Sequence, residues 1–286
     1  MANEPDALEG FATTTLSSWP AIRGHQHDGW IYRGHTRACW QLETTLDRCC
    51  DRHKVPSGDR ARVERELLRE FRRAYHQYAA HVPPRDGVLE WLALMQHYGA
   101  PTRLLDFTYS IYIAAYFAVE KARQDCAVWA FNTDWALEEA SARLRALGKP
   151  EELISELQKP NTESTEQAVS SLLVDSPSAH AAWPVNPFRL NDRLRIQKGV
   201  FLAPGAVDVT FMQNLASMPG HHDPANLIRI VIPVTLVSEV LADLFLMNIT
   251  RRSLFPGLDG YAQELGVYHP VFNPNDPLAK AEREHS

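Results

Sequence analysis

The chain has 286 residues, 45% of them hydrophobic and 22% charged, the balance of an ordinary soluble globular protein of one large or two small domains. A formal net charge of -6 argues against whole-surface attraction to nucleic acid or anionic membrane, and no run of about 18 apolar residues is available to span a bilayer. MANEPDALEG lacks the basic start and apolar run of a signal peptide, and Cys39, Cys49, Cys50 and Cys126 make no disulfide framework, so a reduced, cytoplasmic protein is expected.

Residues 1–20 are polar, poorly patterned and read as an arm over the surface. WIYRGH (30–35) is a run of β-formers closed by a glycine, the pattern of a strand. From Asp59 to about Ala80, Val63, Leu67, Phe71, Tyr75 and Tyr78 recur at spacings of three and four, which predicts one apolar helix face. The opposite face, with Arg62, Arg65, Arg69, Arg72 and Arg73 among Glu64, Glu66 and Glu70, reads as solvated and laced with ion pairs rather than as a nucleic-acid patch. GVLEWLALMQHYGAPT predicts a second helix, stopped by Gly99 and Pro101. SIYIAAYFAVEKAR predicts a third, with Thr108 or Ser110 as its N-cap, and CAVWAFN reads as a buried strand. Residues 133–180 are rich in Glu, Ala, Ser and Leu, hold almost no aromatics, and read as a peripheral helical insert that shares little core. RIQKGVFLAPG and NLIRIVIPV follow as strands, LVSEVLADLFLMNI as a helix and NPNDPLAKAEREHS as a loose tail. The expected organisation is an arm (1–20), a core (21–132), the insert (133–183) and a C-terminal part of the same domain (184–286).

The chemistry is densest in MQHYGAPTRLLDFTYSIYIAAYFAVE (95–120), where His97, Arg103, Asp106 and Thr108 stand immediately before an apolar helix. A loop that only joins two helices does not need those groups, and functional side chains concentrate on loops beside rigid elements. There is no GxxxxGK[ST], GxGxxG, HExxH or GxSxG. CCDRH lacks a second Cys or His pair at zinc spacing, and GHQHDG and GHHD read as solvent loops, so no metal site is expected. Asp259 and Glu264 in LFPGLDGYAQEL suit a helix-capping turn more readily than an acid–base pair.

YRGH followed by WQLETTLDR, then MQHYGAPTRLLDFTYSIYIAAYFA, resembles the FRG domain, named for its Phe/Tyr-Arg-Gly motif. NDRLRIQKGVFLAPG and ITRRSLFPGLDGYAQEL also look like FRG proteins, so the resemblance covers roughly 24–131 and 184–265. A second, weaker resemblance is to ADP-ribosyltransferases of the arginine-first class. Those begin with a strand ending in Arg, follow with a Ser/Thr-containing strand leading into a helix, and end with a strand carrying Glu or Gln near a Gly or Pro turn. Here Arg33 ends IYR, LLDFT leads into IAAYFA, and RIQKGVFLAPG carries Gln197. The chain departs from that pattern with Asp106 and Thr108 in place of Ser-Thr-Ser, and with Gln197 in place of Glu.

The resemblance implies an α+β fold with an ADP-ribosyltransferase-like split, mainly antiparallel sheet and surrounding helices. It implies NAD as substrate, ADP-ribosyl transfer or NAD cleavage as the reaction, and a toxin or phage-defence effector as the setting, with no acceptor named by the sequence. Arg33, Thr108 and Gln197 would be catalytic. Arg33 offers pyrophosphate a planar fork of donors, and Gly34 lets backbone approach a ligand. Thr108, opening a helix, bonds the nicotinamide ribose, and Tyr116 or Phe117 covers the nicotinamide ring. Tyr32, His97, Tyr98, Arg103 and Asp106 complete the expected cofactor-binding set. An amide at 197 hydrogen-bonds an oxocarbenium-like transition state but brings it no charge.

Each residue also has a structural reading. Arg33 can be an ion-pair partner of Asp106, and His97 can sit on a carbonyl at its helix end. Tyr116 and Phe117 can be core, Asp106 and Thr108 caps, and Gln197 a strand-edge partner. The rival function is a non-catalytic module that binds a nucleotide, a nucleic acid or a protein partner. An intact polar constellation in the groove beside Arg33 separates the first function from the second. YRGH and a turn at RLLDFT are expected to wall one cleft.

Overall fold

The computed structural model describes residue 8 and residues 10–266, apart from 80–81, 85, 160–162, 175–178, 188 and 190–191, so the tail read as loose lies outside the described residues. In chain order the elements are β1 (Ala12–Thr15), a 3-10 helix (Trp19–His25), β2 (Trp30–His35), α1 (Thr45–Arg52), α2 (Arg60–Tyr75), α3 (Val88–His97), β3 (Leu105–Thr108) and α4 (Ile111–Val119). Then come β4 (Cys126–Asn132), α5 (Thr133–Ala146), α6 (Glu151–Glu156), α7 (Glu163–Val174), β5 (Ala182–Val185), α8 (Asp192–Ile196) and β6 (Gly199–Pro204). The last are α9 (Phe211–Ala216), β7 (Leu227–Ile232), α10 (Val237–Leu246), α11 (Arg251–Leu254) and α12 (Leu258–Glu264). Among the described residues no helix is long and apolar enough to cross a membrane.

The fold is α+β. One open seven-stranded sheet runs in the order β1-β7-β4-β2-β3-β6-β5, antiparallel throughout except for parallel β1 and β7. Where a split sheet was expected, the sheet is single but narrows sharply. β2 pairs with β4 over six residues and β3 pairs with β6 over four, whereas β2 and β3 share the one pair Tyr32 with Thr108. Alternation along the strands feeds a core on each face. Ile31, Phe107, Trp129 and Phe131 join the cluster under α2, α3 and α5. Tyr32, Val128, Ala130 and Ile230 join the cluster under α4 and α10.

Further expectations change. The arm contributes β1, and Leu16, Trp19 and Ile22 are buried, because ATTT fills a sheet edge where alternation is too short to read. RLLDFT is no turn: Leu105–Thr108 is a strand between β2 and β6. RIQKGVFLAPG divides into the end of α8 and β6, with Lys198 at a φ of 47° between them. The 133–183 segment does not stand off the core. Ala136, Ala140, Leu144, Ile154, Val169 and Leu172 pack into the same cluster as Leu92 and Phe201, together with Trp135 and Trp183 at the two ends of the segment, so aliphatic residues fill most of its share of the core.

Gly34 is explained by a helix before it is explained by a ligand. A Cβ there would fall 2.0 Å from the carbonyl oxygen of Ala114 and 2.5 Å from the nitrogen of Ala118, so the α4 backbone already fills the space.

Glu64, read as part of a solvated face, is buried with Arg60 and Leu68, which stand one turn to either side of it on α2. Its partner is Arg103. Nε donates to Oε1 at 2.7 Å, Nη2 pairs with Oε2, and Nη1 donates to the Leu173 carbonyl at 2.8 Å. One guanidinium thus ties α2, the entry to β3 and α7. Removing one member of a buried pair strands the other charge, so Glu64→Ala is expected to lower stability by about 3–5 kcal/mol in denaturant unfolding. A loss under about 1 kcal/mol would show that Arg103 is solvated or re-paired.

Candidate functional site

A cleft opens where β2 and β3 stop pairing. Arg33 bridges it: Nη1 donates to the Asp106 carbonyl at 2.6 Å and stands 4.0 Å from Asp106 Oδ2, while Nε donates to His35 Nε2 at 3.2 Å. Nη2 has no protein partner among the described residues. Burial weakens the hold of the guanidinium on its proton, Asp106 strengthens it, and Arg48 weakens it again. A guanidinium stays charged through such shifts, so Arg33 is a cation in the folded protein.

His35 is buried and acts through both ring nitrogens. Nε2 accepts from Arg33, and Nδ1 lies 3.3 Å from the Trp40 carbonyl, to which it donates. That arrangement requires a neutral ring. Burial, then Arg33, push its pKa down to about 3; the Trp40 carbonyl acts in the other direction, and Arg48 adds to the lowering.

The remaining side chains converge from three segments. Asp106 is exposed, and its Oδ2 accepts from Gln96 Nε2 at 3.0 Å. Thr108 Oγ1 donates to the Gln197 carbonyl at 2.7 Å and accepts from Ser110 N–H at 3.1 Å. Ser110, not Thr108, caps α4, accepting from Ile113 N–H at 3.4 Å. Gln197 donates Nε2 to the Leu254 carbonyl at 3.1 Å. Phe117 meets Phe255 edge-on at 6.0 Å, and the Arg193 guanidinium lies 4.8 Å over the Phe255 ring.

These groups line two adjoining chambers. A chamber of about 200 Å3 is bounded by Tyr32, Arg33, Thr108, Phe117, Arg193 and Gln197. A second, of about 700 Å3, shares Arg33, Gly34 and Phe117 with the first and extends to His35, Trp40, Glu43 and Arg48. Arg33 therefore stands in the wall common to both. A recess of about 40 Å3 beside the first chamber brings His97 near Asp106, Arg193 and Gln197; burial, then Arg193, lower the His97 pKa.

Of the residues expected at the site, Tyr32, Arg33, Gly34, Asp106, Thr108, Phe117 and Gln197 line one chamber and His97 the recess next to it. Arg103 lies in the core with Glu64, drawn there by its ion pair. Tyr116 is buried against Glu120, which pairs with Arg251 at 2.7 Å; burial and that carboxylate hold its phenol above the usual range. Tyr98 is exposed, with its ring edge-on to His97 at 4.9 Å. Sequence reasoning passed over His35, Trp40 and Arg193. Each stands in or next to a quoted motif (YRGH, WQLETTLDR, NDRLR), and that proximity was the available signal.

Residues 28–126 match the family model of the FRG domain, so this segment is similar to FRG domains. The match takes in Arg33, Asp106, Thr108 and Phe117 and stops before Arg193 and Gln197, so the far wall of the cleft comes from outside it. No curated protein and no solved structure matches the chain.

The His35 ring titrates against folding with a definite sign. Its folded pKa of about 3 lies below the ordinary 6.5, so between those values the unfolded chain holds the extra proton. Its contribution is complete above about pH 6.5 and is lost as pH falls toward about 3. The wild type is expected to lose stability on acidification more steeply than His35→Gln, by up to about 1.4 kcal/mol per pH unit. Parallel slopes for the two proteins in pH-dependent denaturation would show that the ring is not held neutral.

Proposed function

We propose that the cleft binds NAD and breaks its nicotinamide–ribose bond, passing ADP-ribose to an acceptor or to water. The observation that supports this reading is Arg33: a guanidinium in the wall between two chambers, held by two protein bonds, with one prong free. A diphosphate on that prong puts one nucleoside on each side of it. The smaller chamber then takes the nicotinamide half, beside Phe117, Thr108 and Gln197. Gln197 is neutral, so Asp106 is the group in that chamber that brings negative charge to a cationic ribosyl centre. Loss of NAD, or marking of a macromolecule with ADP-ribose, is the chemistry of a toxin or phage-defence effector working in the cytoplasm.

A second reading is a nucleotide-binding module without turnover. The bonding of the other catalytic candidates favours it, since Thr108 spends its proton on the Gln197 carbonyl and Gln197 its amide on the Leu254 carbonyl.

Incubation with labelled NAD separates the two readings through released nicotinamide and labelled acceptor, and Arg33→Lys tests the residue that carries the proposal. Lysine keeps the charge and loses the fork, so NAD binding is expected to weaken about tenfold or more by calorimetric titration. Stability is expected to fall by roughly 1–3 kcal/mol, because the bonds to Asp106 and His35 are disturbed as well. Equal NAD affinity in wild type and a folded variant contradicts the proposal. Binding without nicotinamide release, in buffer and in cell extract alike, selects the second reading.

A further inference from the structure

The larger chamber has more room than the nicotinamide half of a dinucleotide needs, and its walls differ in kind from those of the smaller one. Its volume of about 700 Å3 falls within the range of small-molecule sites. The side chain that stands out in it is Trp40, a large indole 47% exposed on a chain that buries Trp19, Trp91, Trp129 and Trp183 almost completely. An exposed tryptophan on a flat surface needs no explanation. This one lines a cavity and is held in place. The Arg37 guanidinium covers its ring at 5.4 Å, and the His35 ring meets it edge-on at 6.3 Å.

His35 makes the arrangement a built one. A single buried imidazole accepts from Arg33 Nε and donates to the Trp40 backbone carbonyl, so it ties the backbone that carries the indole to the guanidinium, and its ring also meets the indole edge-on. The same chamber carries Gln41, whose amide can both donate and accept, and the part-buried carboxylate of Glu43. A flat aromatic face, with an amide and a carboxylate nearby and a cation in the shared wall, is the complement of a purine nucleotide: ring on the indole, exocyclic amine toward the acceptors, phosphate toward Arg33.

We propose that this chamber is a purine subsite in which Trp40 is the stacking face, and that in NAD it takes the adenine. The proposal deepens the nucleotide reading of the cleft and rests on it. His35 acts here as a positioning residue, since it sets Trp40 and Arg33 without being required to touch the base.

Calorimetric titration of AMP, nicotinamide mononucleotide and NAD into the wild type, Trp40→Ala and Trp40→Phe tests it. Trp40→Ala is expected to weaken AMP and NAD about tenfold or more, the size of one lost base–aromatic stack, and to leave nicotinamide mononucleotide within about twofold. Trp40→Phe keeps an aromatic face and is expected to recover most of the loss. AMP binding that is missing from the wild type or indifferent to Trp40→Ala overturns the proposal, as does an equal loss for nicotinamide mononucleotide. AMP binding that depends on Trp40, in a protein that neither binds nor cleaves NAD, removes the proposed function and leaves the purine subsite. NAD cleavage with AMP binding indifferent to Trp40 does the reverse.

Discussion

Arg33 crosses from β2 to β3 at the point where their backbone pairing ends, and the cleft exists because a side chain spans that gap in place of a ladder. Two adjacent strands usually continue to exchange hydrogen bonds until one of them stops. Here Arg33–His35 of β2 and Leu105–Phe107 of β3 extend to the same side of the pair Tyr32 with Thr108, yet they do not pair with each other. Nη1 of Arg33 reaches the Asp106 carbonyl across the opening, and a neutral His35 holds Nε from behind. A guanidinium fixed at two of its nitrogens has little orientational freedom left to lose, so the direction of its third is set by the protein. Protonation of His35 would remove that acceptor and set a further cation among Arg33 and Arg48, which ties the shape of the cleft to the charge of one ring.

Around this bridge the fold supplies rigid walls from distant parts of the chain. On one face, α4 lies so close to β2 that only glycine fits at position 34, which presents Phe117 to both chambers. On the other face, the Arg103–Glu64 pair anchors the entry to β3 against α2 and α7. The far wall is short: α8 has five residues, too few to be stable by itself. It is held by the Gln197 bond to Leu254 and by Arg193 over Phe255, so α11 and its following residue position a wall that α8 alone would not.

Much of this was legible in the sequence, for reasons that vary with the residue. β2, β4, β7, α3, α4 and α10 showed themselves through period, β-branched content and stop signals such as Gly99, whose φ of 81° fits the helix end it was read as. The grouping of Arg33, Asp106, Thr108, Phe117 and Gln197 followed from motif order, and the structure brings those five to one chamber. What stayed hidden depends on long-range pairing. Arg103 reads as a site residue until Glu64, thirty-nine positions earlier, is seen to take it into the core. β3 has four residues, too few for alternation to declare itself beside a proline and two helices. The break between α8 and β6 turns on Lys198, a residue whose type gives no warning of a positive φ. Ala136, Ala140 and Leu144 keep helical spacing but carry no aromatic ring, so a segment poor in aromatics reads as lying outside a core they help to fill.

The central claim is that Arg33 holds a diphosphate between two chambers, and an experimental structure of the protein with ADP-ribose tests it most directly. A diphosphate oxygen is expected about 2.7–2.9 Å from Arg33 Nη2, the spacing of a charge-assisted bond, with the adenine on the Trp40 side of the guanidinium. A ligand seated away from Arg33, or one whose diphosphate is held by other cations while Nη2 turns to protein, would contradict it.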